Sequence, residues 1–116
     1  MGMSPDADIG WGVQLGSDSG EGRHESVEDV DLYGFLNHPQ IKDSLELRFA
    51  GHVDYSYPVI FIKRTHTYAN WGHEEVDPKT LSNPTVAEQF LLLGFLKDIG
   101  FTGDNTVKLL VVASYG

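Results

Sequence analysis

The sequence predicts a single α+β domain with the element order β-α-β-β-α-β, as in a ferredoxin-like sheet with two helices packed on one face. Three observations lead to this prediction. Apolar residues alternate near the N-terminus, two further strand-like segments lie in the middle of the chain, and each half contains a helix start signal. The alternative is another α+β two-layer sandwich. The 116 residues fit one domain, so we assign 1–116 to it.

The N-terminal part combines one strand with two segments that we expect to be flexible. Alternate residues from 9 to 15 are apolar, which is typical of a strand with one buried face. Residues 1–8 and 16–25 are small, acidic or rich in Gly and Ser, so we expect both to be mobile. Ser26, followed by acidic residues, predicts a helix start, and Pro39 predicts that this helix ends just before it.

The middle of the chain predicts a hairpin of two strands. Residues 45–49 alternate, and 59–68 are rich in β-branched and aromatic side chains. A turn between Ser56 and Tyr57 would place residue 47 opposite 66 and residue 49 opposite 64. One face is then apolar, and a shift by one residue would exchange the faces. The other face is predicted to be solvated and carries Glu46, Arg48, His52, Asp54, Lys63, Thr65 and Thr67.

The C-terminal part predicts a helix and a final strand. Pro84 suits the first position of a helix over 85–99; alternatively, Thr85 and Glu88 form a capping box. This helix is apolar on nearly all sides, so we expect it to be heavily buried or to cover an oligomer interface. Residues 107–113 are apolar on both faces and predict a central strand.

Composition narrows the classes of function. The chain has 17 acidic and 8 basic residues, a formal charge of −9. Because phosphates and anionic membranes attract basic proteins, we expect neither direct nucleic-acid binding nor membrane binding. There is no cysteine, which excludes disulfides and zinc–thiolate sites and favours a cytoplasmic location. The N-terminus lacks the pattern of a signal peptide.

An aromatic and acidic segment follows the second middle strand and is the predicted protein interface. Exposed aromatic side chains often anchor protein partners, although large aromatics are more often buried than exposed. The candidate interface residues are Tyr68, Trp71, His73, Glu74 and Glu75.

A histidine and carboxylate cluster is the alternative site. A metal needs about three nitrogen or oxygen ligands at one point, and the chain contains no established ligand spacing such as His-Glu-x-x-His. Neither a nucleophile elbow nor a phosphate-binding glycine loop is present. No catalytic residue and no cofactor is therefore predicted. The candidate metal ligands are His52, Asp54, His66 and His73.

These observations favour a non-enzymatic interaction module that binds a protein partner or associates with itself. One refinement is an acidic inhibitor or immunity-type protein that occupies a basic partner. One alternative is a small metal- or ligand-binding enzyme that uses the histidine and carboxylate cluster. Another is a structural subunit of a homo-oligomer that associates through the helix at 90–99.

Overall fold

A computed structural model describes residues 6–17, 22–52, 56–70, 79 and 81–115 and shows a mixed α+β protein. The strands in this part of the chain are β1 Asp6–Gln14, β2 Gly16–Ser17, β3 Gly22–Arg23, β4 Leu45–His52, β5 Tyr57–Ile62, β6 Thr67–Asn70 and β7 Lys108–Tyr115. The helices are α1 Leu32–Leu36, α2 Pro39–Lys42 and α3 Val86–Asp98, with 3₁₀ turns at Glu25–Val27 and Lys63–Thr65.

The main sheet curls back on itself around β1. Strand β7 pairs antiparallel with one edge of β1, and β5 and β6 pair antiparallel with the other edge. Strand β4 pairs antiparallel with β5, and its last residues Gly51 and His52 lie parallel to the end of β7. The predicted ferredoxin-like arrangement is not confirmed, because the sheet curls and the first helical region consists of short pieces.

The segment predicted as one strand over 59–68 is broken by the 3₁₀ turn at Lys63–Thr65. Thr65 is fully buried there, and its Oγ1 donates to the Ile62 carbonyl (2.8 Å) and accepts from the Trp11 backbone nitrogen (2.9 Å). These bonds hold the break against β1. As a consequence, β5 pairs with the second half of β1 and β6 with its first half.

The hairpin of β4 and β5 differs in register from the prediction. Leu47 lies opposite Ile60, and Phe49 lies opposite Pro58, so the predicted pairs of 47 with 66 and 49 with 64 are wrong. The strand continues to Tyr57, which was assigned to the turn. The partner of Leu47 is thus Ile60 instead of residue 66, a shift by an even number of residues. Because side chains alternate between the two faces of a strand, an even shift leaves Leu47 and Ile60 on the predicted apolar face.

Two apolar clusters lie on opposite faces of the sheet. The larger cluster joins the sheet to the helices and contains Val13, Leu15, Val27, Leu32, Leu45, Ile60, Ile62, Leu92, Phe95, Leu96 and Ile99. The second lies inside the curl and contains Ala50, Tyr57, Val59, Phe61 and Val112. The predicted solvated face is wrong for Thr65, which is fully buried in the 3₁₀ turn that follows β5.

Helix α3 begins with the capping box, the second of the two predicted starts; Thr85 is the N-cap, so Pro84 lies before the helix and its predicted place at the first helical position is wrong. Thr85 Oγ1 accepts from the Glu88 backbone nitrogen (3.1 Å), and Glu88 Oε1 accepts from the Thr85 backbone nitrogen (2.8 Å). Gly100, at φ +80°, follows the helix in a conformation that favours glycine. The helix buries Leu92 and its neighbours in the larger cluster, and each fully buried leucine contributes about 1.5–3 kcal/mol.

The first predicted helix is replaced by a 3₁₀ turn and two short helices. Asp31 caps α1, since its Oδ1 accepts from the Gly34 backbone nitrogen (3.0 Å). Helix α1 ends before Pro39, as predicted, but Pro39 then occupies the first turn of α2. The short helices are held by packing, because helices of one turn have little stability of their own.

Candidate functional site

Most residues of the predicted interface and metal site lie outside the described part of the chain. These are Asp54, Trp71, His73, Glu74 and Glu75. His52 is the last residue of β4, where its backbone pairs with Tyr115. Tyr68 lies in β6, and His66 immediately precedes that strand. No three His, Asp or Glu side chains of the described residues converge in a group that could hold a metal ion.

His66 belongs to a buried polar cluster centred on Asp8. The Asp8 carboxylate is buried, and its Oδ1 accepts from His66 Nε2 (2.6 Å) and from Arg48 Nε (3.0 Å). A carboxylate accepts this bond only if His66 carries a proton on Nε2. The ring of His66 also packs on Phe61, with centroids 4.9 Å apart. Asp8, Arg48 and His66 therefore link β1, β4 and the start of β6 inside the curl.

Tyr68 lies opposite Asp8 in the β1–β6 ladder and packs against Arg48 of this cluster. The Arg48 guanidinium carbon lies 4.5 Å from the centre of the Tyr68 ring, a cation–π contact. Tyr68 is partly exposed. This contact holds one face of the Tyr68 ring against Arg48. Tyr68 therefore contributes to packing at this cluster.

A polar cleft of about 440 Å³ lies between the β2–β3 ribbon and the loop after α3. Arg23 Nη1 at its wall donates to the carbonyls of Val27, Glu28 and Val30, at 3.1, 3.2 and 3.1 Å. Asp104 accepts from the Thr106 backbone nitrogen and from Lys108, which lowers the pKa of Asp104 to about 2. Arg23, Asp104 and Lys108 of this cleft therefore form their bonds within the protein.

A larger groove of about 710 Å³ runs between α1, α2 and α3. Its apolar residues are Phe35, Ile41, Phe90, Leu91 and Phe95. Phe90 is 70% exposed and Phe35 is 38% exposed, although both are large apolar side chains. Such contiguous apolar exposure is typical of a surface that binds something.

Helix packing positions the two walls of this groove. Phe35 of α1 packs edge-on against Phe95 of α3, with ring centroids 5.8 Å apart. Phe90, Gly94 and Asp98 follow at intervals of four residues and therefore share one face of α3. A Cβ atom built on Gly94 has no neighbour within 4 Å, so the α3 wall of the groove has open space at this residue.

The charged residues of the groove have one sign. Asp31 lines the α1 wall and Asp98 the α3 wall, and no Lys or Arg is among the residues that line it. The chain around the α1 wall is also acidic: residues 25–43 contain five Asp or Glu and one Lys. The groove thus combines an apolar floor with acidic edges.

The start of α3 is held by an ion pair next to the groove. Arg64 donates to Glu88 through Nε (2.7 Å) and Nη2 (2.9 Å). The hydrogen bond from Arg64 is the main cause that lowers the pKa of Glu88 to about 2, and the Thr85 backbone nitrogen adds to it. This ion pair connects the 3₁₀ turn before β6 to the first turn of α3.

Sequence reasoning missed this groove as a site. The over-apolar helix 85–99 was a signal, since it predicted either heavy burial or an interface. Its partner wall was not predictable, because Phe35 reaches Phe95 across 60 residues of sequence.

No helix of the described residues is long and apolar enough to cross a membrane. Comparison with protein families, curated proteins and solved structures finds no match to this chain. The function is therefore argued from the geometry of the site alone.

Proposed function

We propose that the protein is a non-enzymatic interaction module that binds a basic, apolar segment of a partner protein in the groove between α1, α2 and α3. The observation that carries the proposal is an open apolar groove whose charged lining residues, Asp31 and Asp98, are both acidic. Partners with apolar anchors and Lys or Arg flanks complement such a surface. The net charge of −9 supports a basic protein partner, and the lack of cysteine supports a cytoplasmic location.

The exposed phenylalanines supply the affinity in this proposal. Aromatic side chains that enter a desolvated pocket dominate the energy of many interfaces. Phe90 stands at the rim, while Phe35 is already fixed by its contact with Phe95. The acidic edges supply orientation and a faster encounter with a basic partner rather than most of the affinity.

Substitution Gly94→Leu tests the proposal without unfolding the protein. The new side chain would occupy the open space at Gly94 on the α3 wall of the groove. Because glycine is a poor helix former, the substitution should raise stability by about 0.5–1 kcal/mol. We expect the variant to melt at a higher temperature and to lose binding.

The probe is a designed amphipathic peptide of Leu and Lys, with a Leu and Glu counterpart as its control. Fluorescence anisotropy of the labelled peptides would give saturable binding of the Lys peptide to the wild type. We expect binding to weaken sharply between about 50 mM and about 500 mM NaCl, because surface charges are screened. Equal binding of both peptides, or unchanged binding to the Gly94→Leu variant, would overturn the proposal.

A further inference from the structure

The groove between α1, α2 and α3 is lined by helices and their caps. One side consists of residues of α1 and α2 together with the N-caps of these helices, Asp31 and His38, and the other side consists of residues of α3. No strand of the described residues lines it. The groove therefore differs from the edge of a sheet, where unpaired backbone groups bond to an extended segment.

The backbone nitrogens along the walls of the groove already have partners within the chain. The Gly34 nitrogen donates to Asp31 Oδ1 (3.0 Å), and the Phe35 nitrogen donates to the Asp31 carbonyl (3.4 Å). The Ile41 nitrogen donates to the His38 carbonyl (3.0 Å). The groove residues of α3 lie within the helix, where each backbone nitrogen bonds four residues back.

This lack of free backbone donors favours a helical occupant over an extended one. An extended segment in the groove would bury its own backbone groups against apolar side chains, and a buried backbone group without a partner costs free energy. An α-helix bonds its backbone groups internally and presents only side chains. A helix can therefore cover the apolar residues of the groove without this cost.

The α3 wall presents two neighbouring ridges of side chains. Phe90, Gly94 and Asp98 form an outer ridge and are exposed. Leu91 and Phe95 form an inner ridge, in which Leu91 is half-buried and Phe95 is buried. Both ridges follow the rows of residues four apart. A groove between two such rows accepts the corresponding row of another helix at a crossing angle of about −50°, the commonest packing of helices in globular proteins.

Gly94 is the feature of this wall that the fold of the chain itself does not explain. A Cβ atom at this residue would meet no atom within 4 Å, so no contact inside the described chain requires glycine. Gly94 also lies in the helical conformation, which other residues adopt at lower cost. The lack of a side chain between Phe90 and Asp98 does, however, let the backbone of a second helix come close, because side chains at the contact set the distance between helix axes.

We propose that the occupant of the groove is an amphipathic α-helix, which packs its apolar face on α3 and comes closest to α3 at Gly94. The inference rests on the proposed function and specifies the conformation of the basic, apolar segment. Phe90 and Asp98 are separated by about 12 Å along the helix axis, so about two turns of the bound helix cover this wall. Apolar residues of the bound helix recur at intervals of three and four, and its Lys or Arg residues lie near Asp31 and Asp98.

Three labelled peptides of about 14 residues test the helical form, since helices of this length are only marginally stable alone. Two carry Leu at intervals of three and four and Lys elsewhere, with either Ala or Pro at one central position of the polar face. The third alternates Leu and Lys, as in a strand. Because proline breaks a helix, we expect anisotropy to show at least about tenfold weaker binding of the Pro peptide than of the Ala peptide. Circular dichroism should show that the Ala peptide gains helix when the protein is added.

The three peptides separate a failure of this inference from a failure of the proposed function. Equal binding of the Ala and Pro peptides, or tighter binding of the alternating peptide, would leave a basic segment in the groove and would overturn its helical form. Absence of binding by all three peptides would overturn the proposed function and this inference with it. Preferred binding of the Ala peptide with a gain of helix would support both.

Gly94→Ala tests the close approach. The added methyl group lies at the proposed contact, and alanine stabilises a helix relative to glycine, so unfolding would not explain a loss of binding. We expect the Ala peptide to bind roughly tenfold more weakly to this variant, because added atoms crowd a packed contact. The matched control is Val86→Ala, at a residue of α3 that is 67% exposed and does not line the groove, and it should bind like the wild type. Equal binding to both variants would refute the close approach at Gly94.

Discussion

The inside of the curl and the groove between the helices both combine apolar side chains with acidic ones, but they differ in what the acids contact. Inside the curl, the buried Asp8 carboxylate bonds to Arg48 and His66. In the groove, Asp31 and Asp98 are exposed, and no Lys or Arg is among the described residues that line it. An acid bonded to cationic side chains of its own chain stabilises the fold, whereas exposed acids beside uncovered apolar side chains attract a basic partner.

The cluster inside the curl belongs to the frame that supports the groove. Asp8 joins β1 to Arg48 and His66. The sheet that β1 organises packs against α3, which forms one wall of the groove. Substitutions inside the curl should therefore lower stability, while exposed substitutions in the groove should change binding with little change in stability.

Replacement of Asp8 by Asn has the largest expected effect. It removes the charge that Arg48 and His66 both contact, and loss of a hydrogen bond to a buried charged group costs about 1.5–3 kcal/mol. Urea denaturation should show this loss. The control Asp29→Asn changes an exposed acidic residue and should stay within about 0.5 kcal/mol. Equal stability of the two variants would show that the buried cluster does not hold the frame.

Reversal of charge at Asp98 sharpens the comparison between the two regions. We expect Asp98→Lys to weaken binding of the Leu and Lys peptide by roughly tenfold, about 1.4 kcal/mol, because a repulsive charge then faces the basic segment. Stability should stay within about 0.5 kcal/mol, since Asp98 is exposed. Anisotropy and urea denaturation measure the two effects. Unchanged binding would show that Asp98 does not attract the basic segment.

Glu88→Gln has the smallest expected effect. Glutamine still fits the capping box at Thr85, so the variant removes only the ion pair with Arg64. The pKa of Glu88 is lowered to about 2, below its usual 4.5. Its contribution to stability is therefore present above pH 4.5 and is lost as the pH falls toward 2. We expect the unfolding temperature of the variant to fall less steeply below pH 4.5 than that of the wild type. Identical pH profiles of the two proteins would contradict a stabilising ion pair between Glu88 and Arg64.

Local signals in the sequence predicted the elements better than the contacts between them. The capping box of Thr85 and Glu88 was predicted because its two residues are three apart and bond directly. The break at Lys63–Thr65 was not predicted, because it depends on a bond from Trp11, which is 54 residues from Thr65. Hydrophobic alternation sets which face of a strand is apolar, but it does not set the curl that buries both faces of β5.

The candidate sites also depend on contacts between residues that are far apart in the sequence. His66 was a candidate ligand of the alternative metal site, but it bonds to Asp8, which is 58 residues away and was not among the candidates. The exposed apolar surface of the groove depends on which neighbours cover a residue, and tertiary contacts decide that. Excess apolar character in 85–99 was the only signal for it in the sequence.

The salt dependence of peptide binding, compared between the wild type and Asp98→Lys, tests the central claim most directly. Anisotropy of the labelled Leu and Lys peptide reports the affinity of both proteins between about 50 mM and about 500 mM NaCl. We expect the wild type to lose affinity steeply as salt rises and the variant to lose it less steeply, because the variant has less attraction left to screen. Parallel salt dependence of the two proteins would contradict the claim that the exposed acids of the groove, unlike the buried Asp8, attract a basic partner.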